Sequence, residues 1–308
     1  MLTGATGLLG GAVVRRLTAR GVPTRCLVRD PRRLGAQRVR VQLALGDLAD
    51  PASWRNALRG VDTVVHLAGG ARDQPRATVE ELNGLAAWRL LRAAQRAGAR
   101  HFLWLEPLGA TPHHPMRLHR AKALVEAAVA ATPLPTTTLA HSLIYAPGDR
   151  HLRWLERLGL LPAVPLVGRG IARTQPLWVE DAADCLLAAL DRPAEGHHVR
   201  YELAGPETLT QRELVKRVLA ASGRRRRTLP IPLAGLRAAL RAEETLAGPT
   251  SLLTWDEAQL LAVEMLSATG VEDAERLGVT PRTLAEVLAV PTGGPLRVAP
   301  PAAAAPLR

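Results

Sequence analysis

Three glycines with G-x-x-G-x-x-G spacing lie within Thr3 to Gly10, directly before an apolar helical pattern. At a turn from a strand into a helix, Gly4 would allow a sharp exit, Gly7 would let the backbone approach a pyrophosphate, and Gly10 would let helix and strand pack closely. The unpaired N–H groups of a helix N-terminus attract anions. The spacing therefore predicts a dinucleotide-binding turn, and a Gly-rich turn with a purely structural role is the alternative.

A second chemical signal follows the next predicted strand, Thr24 to Val28. Arg29 stands where NAD-selective proteins usually have an acidic residue for the ribose 2′-hydroxyl. A guanidinium at this point, supported by Arg32 or Arg33, suits the geometry of a 2′-phosphate, so the sequence favours NADP(H). Asp30 stands beside Arg29 and would suit the hydroxyl, which leaves NAD(H) as the alternative.

Charge and composition exclude several other classes of protein. The 308 residues have a formal net charge of +12, but only Lys122 and Lys216 among the 40 basic residues are lysines. This skew indicates a composition bias along the whole chain rather than a concentrated phosphate-binding face, so we expect no nucleic-acid partner.

No apolar run reaches the roughly 18 residues of a transmembrane helix, and no signal peptide opens the chain, so we expect a cytoplasmic location. Cys26 and Cys185 are expected to be buried thiols.

Strand and helix signals alternate from residue 1 to about 145, which is typical of an α/β protein with a doubly wound parallel sheet of the Rossmann type. Only Met1 to Thr3 precede the glycine turn, whereas a buried strand usually has about five or six residues, so we expect a clipped first strand or an upstream start codon. We predict a dinucleotide-binding domain over 1–145, with 175–192 packing back on it. A smaller, mostly helical region covers 146–174 and 193–290, and a disordered tail covers 291–308.

Four ordered motifs resemble those of extended or atypical short-chain dehydrogenase/reductases. They are Thr3 to Gly10, Gly46 to Leu48, His66 to Gly69, and Gln175 to Ala182. Within that superfamily the chain most resembles NAD(P)-binding epimerase/dehydratase-like proteins related to the nucleotide-binding accessory subunit of respiratory complex I. The resemblance covers roughly residues 1 to 290, and it implies a nicotinamide nucleotide as the cofactor.

The resemblance also implies where the cofactor would bind. Asp47 and Leu48 would lie by the adenine, Leu67, Ala68 and Gly69 under the ribose and pyrophosphate, and Lys122 at the nicotinamide ribose. With the glycine turn and the two arginines, the predicted cofactor-binding residues are Gly4, Thr6, Gly7, Leu8, Leu9, Gly10, Arg29, Arg32, Asp47, Leu48, Leu67, Ala68, Gly69 and Lys122.

The catalytic half of the family pattern is less complete than the cofactor half. The superfamily's chemistry uses a Tyr as acid or base, a Lys four residues later that lowers the pKa of the Tyr, and an upstream Ser that binds the reacting oxygen. Lys122 matches the Lys, but Leu118 stands at the Tyr position, and residues 105–110 hold no Ser. Glu106, His119 and Tyr145 are the candidate substitutes.

Two functions follow as hypotheses. The first is an NADP(H)-binding protein whose cofactor is structural or sensory, and the second is an oxidoreductase or epimerase acting on a small carbonyl or sugar-nucleotide substrate. A third interpretation uses the C-terminal helices to dock a protein complex. His113 and His114 lack the further ligands that a metal site needs, so no metal is expected.

Overall fold

The computed structural model describes residues 1–192, 198–247 and 253–289. The predicted tail 291–308 lies outside these residues. The strands are β1 (Leu2–Thr3), β2 (Arg25–Val28), β3 (Gln42–Leu45), β4 (Thr63–His66), β5 (His101–Pro107), β6 (Thr136–His141), β7 (Ile144–Tyr145), β8 (Ala163–Val167), β9 (Arg173–Thr174), β10 (Leu177–Trp178), β11 (His198–Leu203), β12 (Leu209–Thr210) and β13 (Arg227–Ile231).

The helices alternate with these strands through the first half of the chain. They are α1 (Leu8–Ala19), α2 (Pro51–Trp54), α3 (Ala86–Arg96), α4 (Arg117–Ala130), α5 (Arg150–Leu158), α6 (Val179–Asp191), α7 (Gln211–Ala221), α8 (Leu233–Ala247), α9 (Trp255–Leu260), α10 (Glu272–Arg276) and α11 (Leu284–Leu288). Short 3-10 turns cover Pro31–Val39 and Arg55–Leu58, and a π turn over Glu81–Leu85 leads into α3. No helix in the described part of the chain is long and apolar enough to cross a membrane.

Seven strands form one parallel sheet in the order β11-β6-β5-β4-β1-β2-β3. The expectation of a Rossmann-type α/β fold is confirmed. From β1 the chain first builds outward through β2 and β3, and then crosses to β4 on the other side of β1. This reversal of strand order creates a crevice at the carboxyl ends of β1 and β4, which is where ligands bind in doubly wound sheets.

Side chains of the buried strands pack alternately against the two helical layers. Leu103 lies in the core beneath α1 and α6, whereas its neighbours Phe102 and Trp104 lie in the opposite core beneath α3 and α4. Because both faces of the sheet are covered, a strand such as β5 contains a continuous apolar run, Phe102 to Leu105, rather than an alternating pattern. Cys26 and Cys185 are buried free thiols, as expected.

The segment after residue 175 returns to the sheet layer. Helix α6 packs along α1, where Arg16 binds Asp184 at 2.6 Å and also binds Glu180. The predicted boundary differs from the structure at β11. The sequence pattern places residues 198–203 in the smaller region, whereas they form the seventh strand of the large sheet. A separate core of the smaller region joins α5, β8, α7 and α11.

Candidate functional site

The glycine turn connects β1 to α1 at the crevice. Gly4 has a φ of +74°, and a Cβ there would lie 2.6 Å from the backbone nitrogen of Ala68 in the loop after β4. A Cβ at Gly10 would lie 2.0 Å from the carbonyl oxygen of Gly4. Both positions therefore require glycine because other backbone passes within contact distance.

The start of α1 has the features of an anion-binding helix N-terminus. The Gly7 N–H donates to the Gly4 carbonyl at 2.9 Å, and α1 begins one residue later. Within the described residues no side chain caps this helix, and its first turn contains no acid. The first N–H groups of a helix lack intrahelical acceptors, so they can donate to a phosphate.

The other predicted residues of this turn differ in how far their side chains are buried. Thr6 is half-buried and the Leu8 side chain is exposed, while the Leu9 side chain packs into the core beneath α1. Leu48 likewise packs into the opposite core. Leu9 and Leu48 can therefore contribute to a ligand site through their backbone rather than their side chains.

A small cavity of about 400 Å³ lies beyond the carboxyl ends of β2 and β3. Its lining combines Arg29 and Asp47, both predicted, with Gly46, Pro75 and Arg76. The Arg29 guanidinium donates to the side chain of Gln74. Two arginines thus line one cavity at the position expected for the adenosine ribose.

Arg32 is not among the residues that line this cavity. Its side chain is 83% exposed, and its Nε atom lies 2.9 Å from Asp30 Oδ1. Asp30 also caps the following 3-10 turn, because its carboxylate accepts from the Arg32 backbone N–H. The pairing holds the pKa of Asp30 below its ordinary value.

A larger cleft of about 1120 Å³ extends from the carboxyl end of β4 toward α5 and α9. Leu67, Ala68 and Gly69 line one end of it, next to Lys122. The loop is fixed by the buried Asn83, whose Oδ1 accepts from the Gly70 N–H at 3.1 Å and whose Nδ2 donates to the Gly70 carbonyl at 2.8 Å. Three predicted backbone residues and the predicted lysine are therefore brought together in one cleft.

Lys122 is held at the floor of the cleft by β5. Its Nζ donates to the Leu105 carbonyl at 2.8 Å and lies 4.4 Å from the ring centroid of Trp104. Burial lowers the pKa of Lys122 to about 8. Leu118, four residues earlier on α4, also lines the cleft, as expected for an i, i+4 pair on one helix face.

The three substitute catalytic residues lie elsewhere. None of Glu106, His119 and Tyr145 is among the described residues that line the cleft. Glu106 is fully buried and binds Arg200, which also binds Glu126. Burial raises the pKa of Glu106, and the attraction of Arg200 opposes that rise.

His119 and Tyr145 are both buried in packed surroundings. The His119 ring stacks on His114 with 4.2 Å between centroids, and burial lowers the pKa of His119 to about 4. Tyr145 packs in the core of the smaller region, where burial raises the pKa of its phenol. Neither placement positions an acid or base beside Lys122.

The structure adds residues that sequence reasoning missed. His141 and Ser142, at the end of β6, line the same cleft as Lys122. The His141 Nδ1 atom lies 2.6 Å from the Ser142 carbonyl oxygen, so this nitrogen carries the proton and donates. Arg76, which lines the small cavity with Arg29, was also missed. Its position is set by the loop that follows β4. The available signal for His141 and Ser142 was their place at the carboxyl end of a strand, where doubly wound sheets bind ligands.

Comparisons with known proteins agree with this geometry. The family model described as NAD(P)H-binding matches residues 4–145. The chain is 31% identical over 252 residues to the (4-alkanoyl-5-oxo-2,5-dihydrofuran-3-yl)methyl phosphate reductase of Streptomyces griseus, covering 79% of this chain and 80% of that protein. The chain belongs to the NAD(P)H-binding family.

Two further relatives are named for different roles. The chain is 30% identical over 256 residues to the mitochondrial NADH dehydrogenase (ubiquinone) 1 alpha subcomplex subunit 9 of Arabidopsis thaliana, covering 77% of this chain and 62% of that subunit. It is 29% identical over 242 residues to the NAD(P)H azoreductase of Xenophilus azovorans, covering 76% of this chain and 77% of that protein. The resemblance to the complex I subunit is confirmed.

Solved structures share the whole fold. A nucleoside-diphosphate-sugar epimerase from Staphylococcus aureus superposes with a TM-score of 0.74 at 19% identity, covering 94% of this chain and 99% of that one. An NADPH-dependent quinone oxidoreductase from Escherichia coli, solved with NADPH, gives 0.72 at 21% identity, covering 94% and 98%. Both structures therefore share the Rossmann-type fold of this chain.

Proposed function

We propose that this chain is an NADP(H)-dependent reductase of the atypical short-chain dehydrogenase/reductase class. The observation that carries the proposal is the shared cleft of Leu67 to Gly69 and Lys122, which opens from the crevice where the glycine turn lies. The turn would hold the pyrophosphate, Asp47 would lie near the adenine, and Lys122 would hold the nicotinamide ribose. When bound, the reduced nicotinamide supplies a hydride.

The preference for NADP(H) over NAD(H) rests on the cavity that Arg29 and Arg76 line. A 2′-phosphate is recognised by planar guanidinium groups through charge-assisted hydrogen bonds. Asp47 is the one carboxylate among the described residues of this lining, and its Oδ1 accepts from the Ala49 N–H at 3.1 Å. The two cations support the phosphorylated cofactor.

The side chains around Lys122 favour a particular kind of electron acceptor. Reducing an ordinary ketone produces an alkoxide that needs a proton at once, and Leu118 at the family's Tyr position cannot supply it. Hydride transfer to a quinone forms a phenolate, a stabilised anion that takes a proton from water after the hydride has arrived. The azoreductase relative is likewise named for an electron acceptor other than a ketone.

The purified chain should therefore oxidise NADPH with 2-methyl-1,4-naphthoquinone and not with acetophenone, measured by the loss of absorbance of NADPH and corrected for the reaction without protein. Leu118→Tyr should add ketone reduction, because it restores a phenol four residues before Lys122. Faster reduction of acetophenone than of the quinone by the unaltered chain would contradict the missing-acid argument. If neither acceptor oxidises NADPH, the reductase proposal is abandoned.

A second candidate is a non-catalytic NADP(H)-binding subunit of a larger complex, which the Arabidopsis relative and Leu118 favour. In size-exclusion chromatography of a native lysate, such a subunit would co-elute with a much larger assembly. Elution at the size of the isolated chain would contradict this candidate function.

For either function we propose a cytoplasmic location, where buried free thiols such as Cys26 and Cys185 are ordinary.

A further inference from the structure

One wall of the large cleft is formed by the basic face of α5. Arg150, Arg153 and Arg157 recur at intervals of three and four residues, and all three line the cleft. This spacing places them on one side of a helix. Leu152 and Leu155 are buried in the core of the smaller region, which fixes the arginine face toward the cleft.

The opposing wall is largely apolar. Leu253, Leu260, Leu261 and Met265 line it from the C-terminal part of the chain, and Trp154 faces the cleft from α5. The volume of about 1120 Å³ includes the end beside Lys122 where the nicotinamide would lie, and it exceeds the roughly 300–1,000 Å³ of a typical small-molecule site. The cleft therefore combines space for an apolar body with a row of cations.

The carboxylate in the lining is already engaged. Glu257, the one carboxylate among the described lining residues, lies 2.7 Å from Arg72 and 3.7 Å from Arg150. It also accepts from the Thr254 N–H at 3.0 Å as part of the capping box of α9. Glu257 thus fixes α9 over the cleft and offsets part of the charge of two arginines.

Arg153 and Arg157 have no carboxylate partner among the residues that the structure describes. Arg153 Nε donates to the Asp149 backbone carbonyl at 3.3 Å, which places the helix end but neutralises no charge. His151 also lines the cleft, and its buried Nε2 has no hydrogen-bond partner in the described chain. These groups are suited to an anion that enters the cleft.

We infer that the substrate of this cleft is an amphiphilic anion, with an aromatic or acyl body against the leucines and Trp154 and a carboxylate, phosphate or sulfonate on Arg153 and Arg157. This inference rests on the proposed function, and it specifies the substrate class of the same site. A polar nucleoside diphosphate would meet the cations but leave the leucine wall unused.

Calorimetric titration of the full chain, with and without saturating NADPH, tests the inference. The probes are naphthalene-2-sulfonate, the uncharged 2-naphthalenemethanol, and uridine diphosphate. Naphthalene-2-sulfonate should bind one to one and at least tenfold more tightly than either of the others. Equal affinity for the charged and uncharged probes would refute the anionic head, and tighter uridine diphosphate would refute the apolar body.

Matched double variants locate the site. Arg153→Gln with Arg157→Gln should weaken sulfonate binding at least tenfold and leave 2-naphthalenemethanol within twofold. Arg92→Gln with Arg96→Gln, also four residues apart on an exposed helix face of α3, should change neither. Equal losses in both double variants would show non-specific attraction and overturn the site.

NADPH affinity is measured separately in every variant. Sulfonate binding without NADPH binding would reject the proposed function alone, and NADPH binding without sulfonate binding would reject this inference alone.

Discussion

Gly10→Ala is the sharpest perturbation of the glycine turn. Its Cβ would lie 2.0 Å from the Gly4 carbonyl oxygen, whereas real Cβ contacts essentially never fall below 3.0 Å, so helix and turn must separate by about 1 Å. Overpacking of this kind costs roughly 1–3 kcal/mol, and the better helix propensity of Ala returns about 1 kcal/mol. The variant should therefore fold with a modest loss of stability.

The larger effect of Gly10→Ala falls on cofactor binding. Two backbone hydrogen bonds to a charged phosphate contribute roughly 1.5–3 kcal/mol each. Since about 1.4 kcal/mol corresponds to a tenfold change in Kd, losing both, about 3–6 kcal/mol, weakens NADPH binding by roughly 100-fold to 10,000-fold. The assay is titration of the nicotinamide fluorescence of NADPH, with urea unfolding measured in parallel to verify that the variant is folded.

Gly11→Ala is the matched control on the same helix turn. The nearest atom to its added Cβ is the Arg15 guanidinium at 3.8 Å, so the methyl group fits. This variant should bind NADPH within twofold of the unaltered chain and gain up to about 1 kcal/mol of stability. A folded Gly10→Ala protein with unchanged NADPH affinity would refute the claim that this turn holds the pyrophosphate.

Three other perturbations have distinct readouts. Arg29→Gln should lower NADPH affinity by about tenfold or more and NADH affinity less than twofold in calorimetry. Arg40→Gln, at an exposed arginine outside the cavity lining, should change neither affinity. Equal losses for the two cofactors in Arg29→Gln would remove the 2′-phosphate assignment. NADPH binding should weaken as pH rises through about 8, because the buried Lys122 ammonium loses its proton there. Lys122→Met should bind NADPH weakly, and its affinity should show no inflection near this pH. The same inflection in the variant would assign the pH dependence to another group. Arg200→Met should cost about 3–5 kcal/mol in urea unfolding because it leaves the Glu106 carboxylate buried without its cation, and a loss below about 1 kcal/mol would contradict the buried pair.

The pH dependence of stability gives Lys122 a further signature. Its pKa is lowered from 10.5 in the unfolded chain to about 8 in the fold. Between these values the unfolded chain binds more protons than the folded one, so stability should rise with pH across that window. Lys122→Met removes this rise, which a series of unfolding curves at pH 7.5 to 10.5 would reveal.

The sequence predicted the parts of the site that depend on local spacing. The glycine turn, the motif His66 to Gly69, and the Lys122 to Leu118 pair each follow from a few consecutive residues. Such features need no knowledge of distant partners. Local features of this kind can therefore be predicted from a single sequence.

The remainder depends on long-range packing. Arg200 reaches Glu106 across 94 residues of chain, and Glu257 reaches Arg72 across 185. Residues 198–203 have a strand pattern, but nothing local to them indicates that β6 is their partner. The arginine face of α5 becomes a binding wall because α9 lies opposite it, so its role was not apparent from the sequence.

The central claim is that the glycine turn and the adjoining cleft bind a phosphorylated nicotinamide nucleotide. Calorimetric titration of the unaltered, folded chain with NADPH and with NADH tests it most directly. We expect one NADPH site per chain, with NADH binding at least tenfold more weakly. A folded sample that binds neither nucleotide would contradict it.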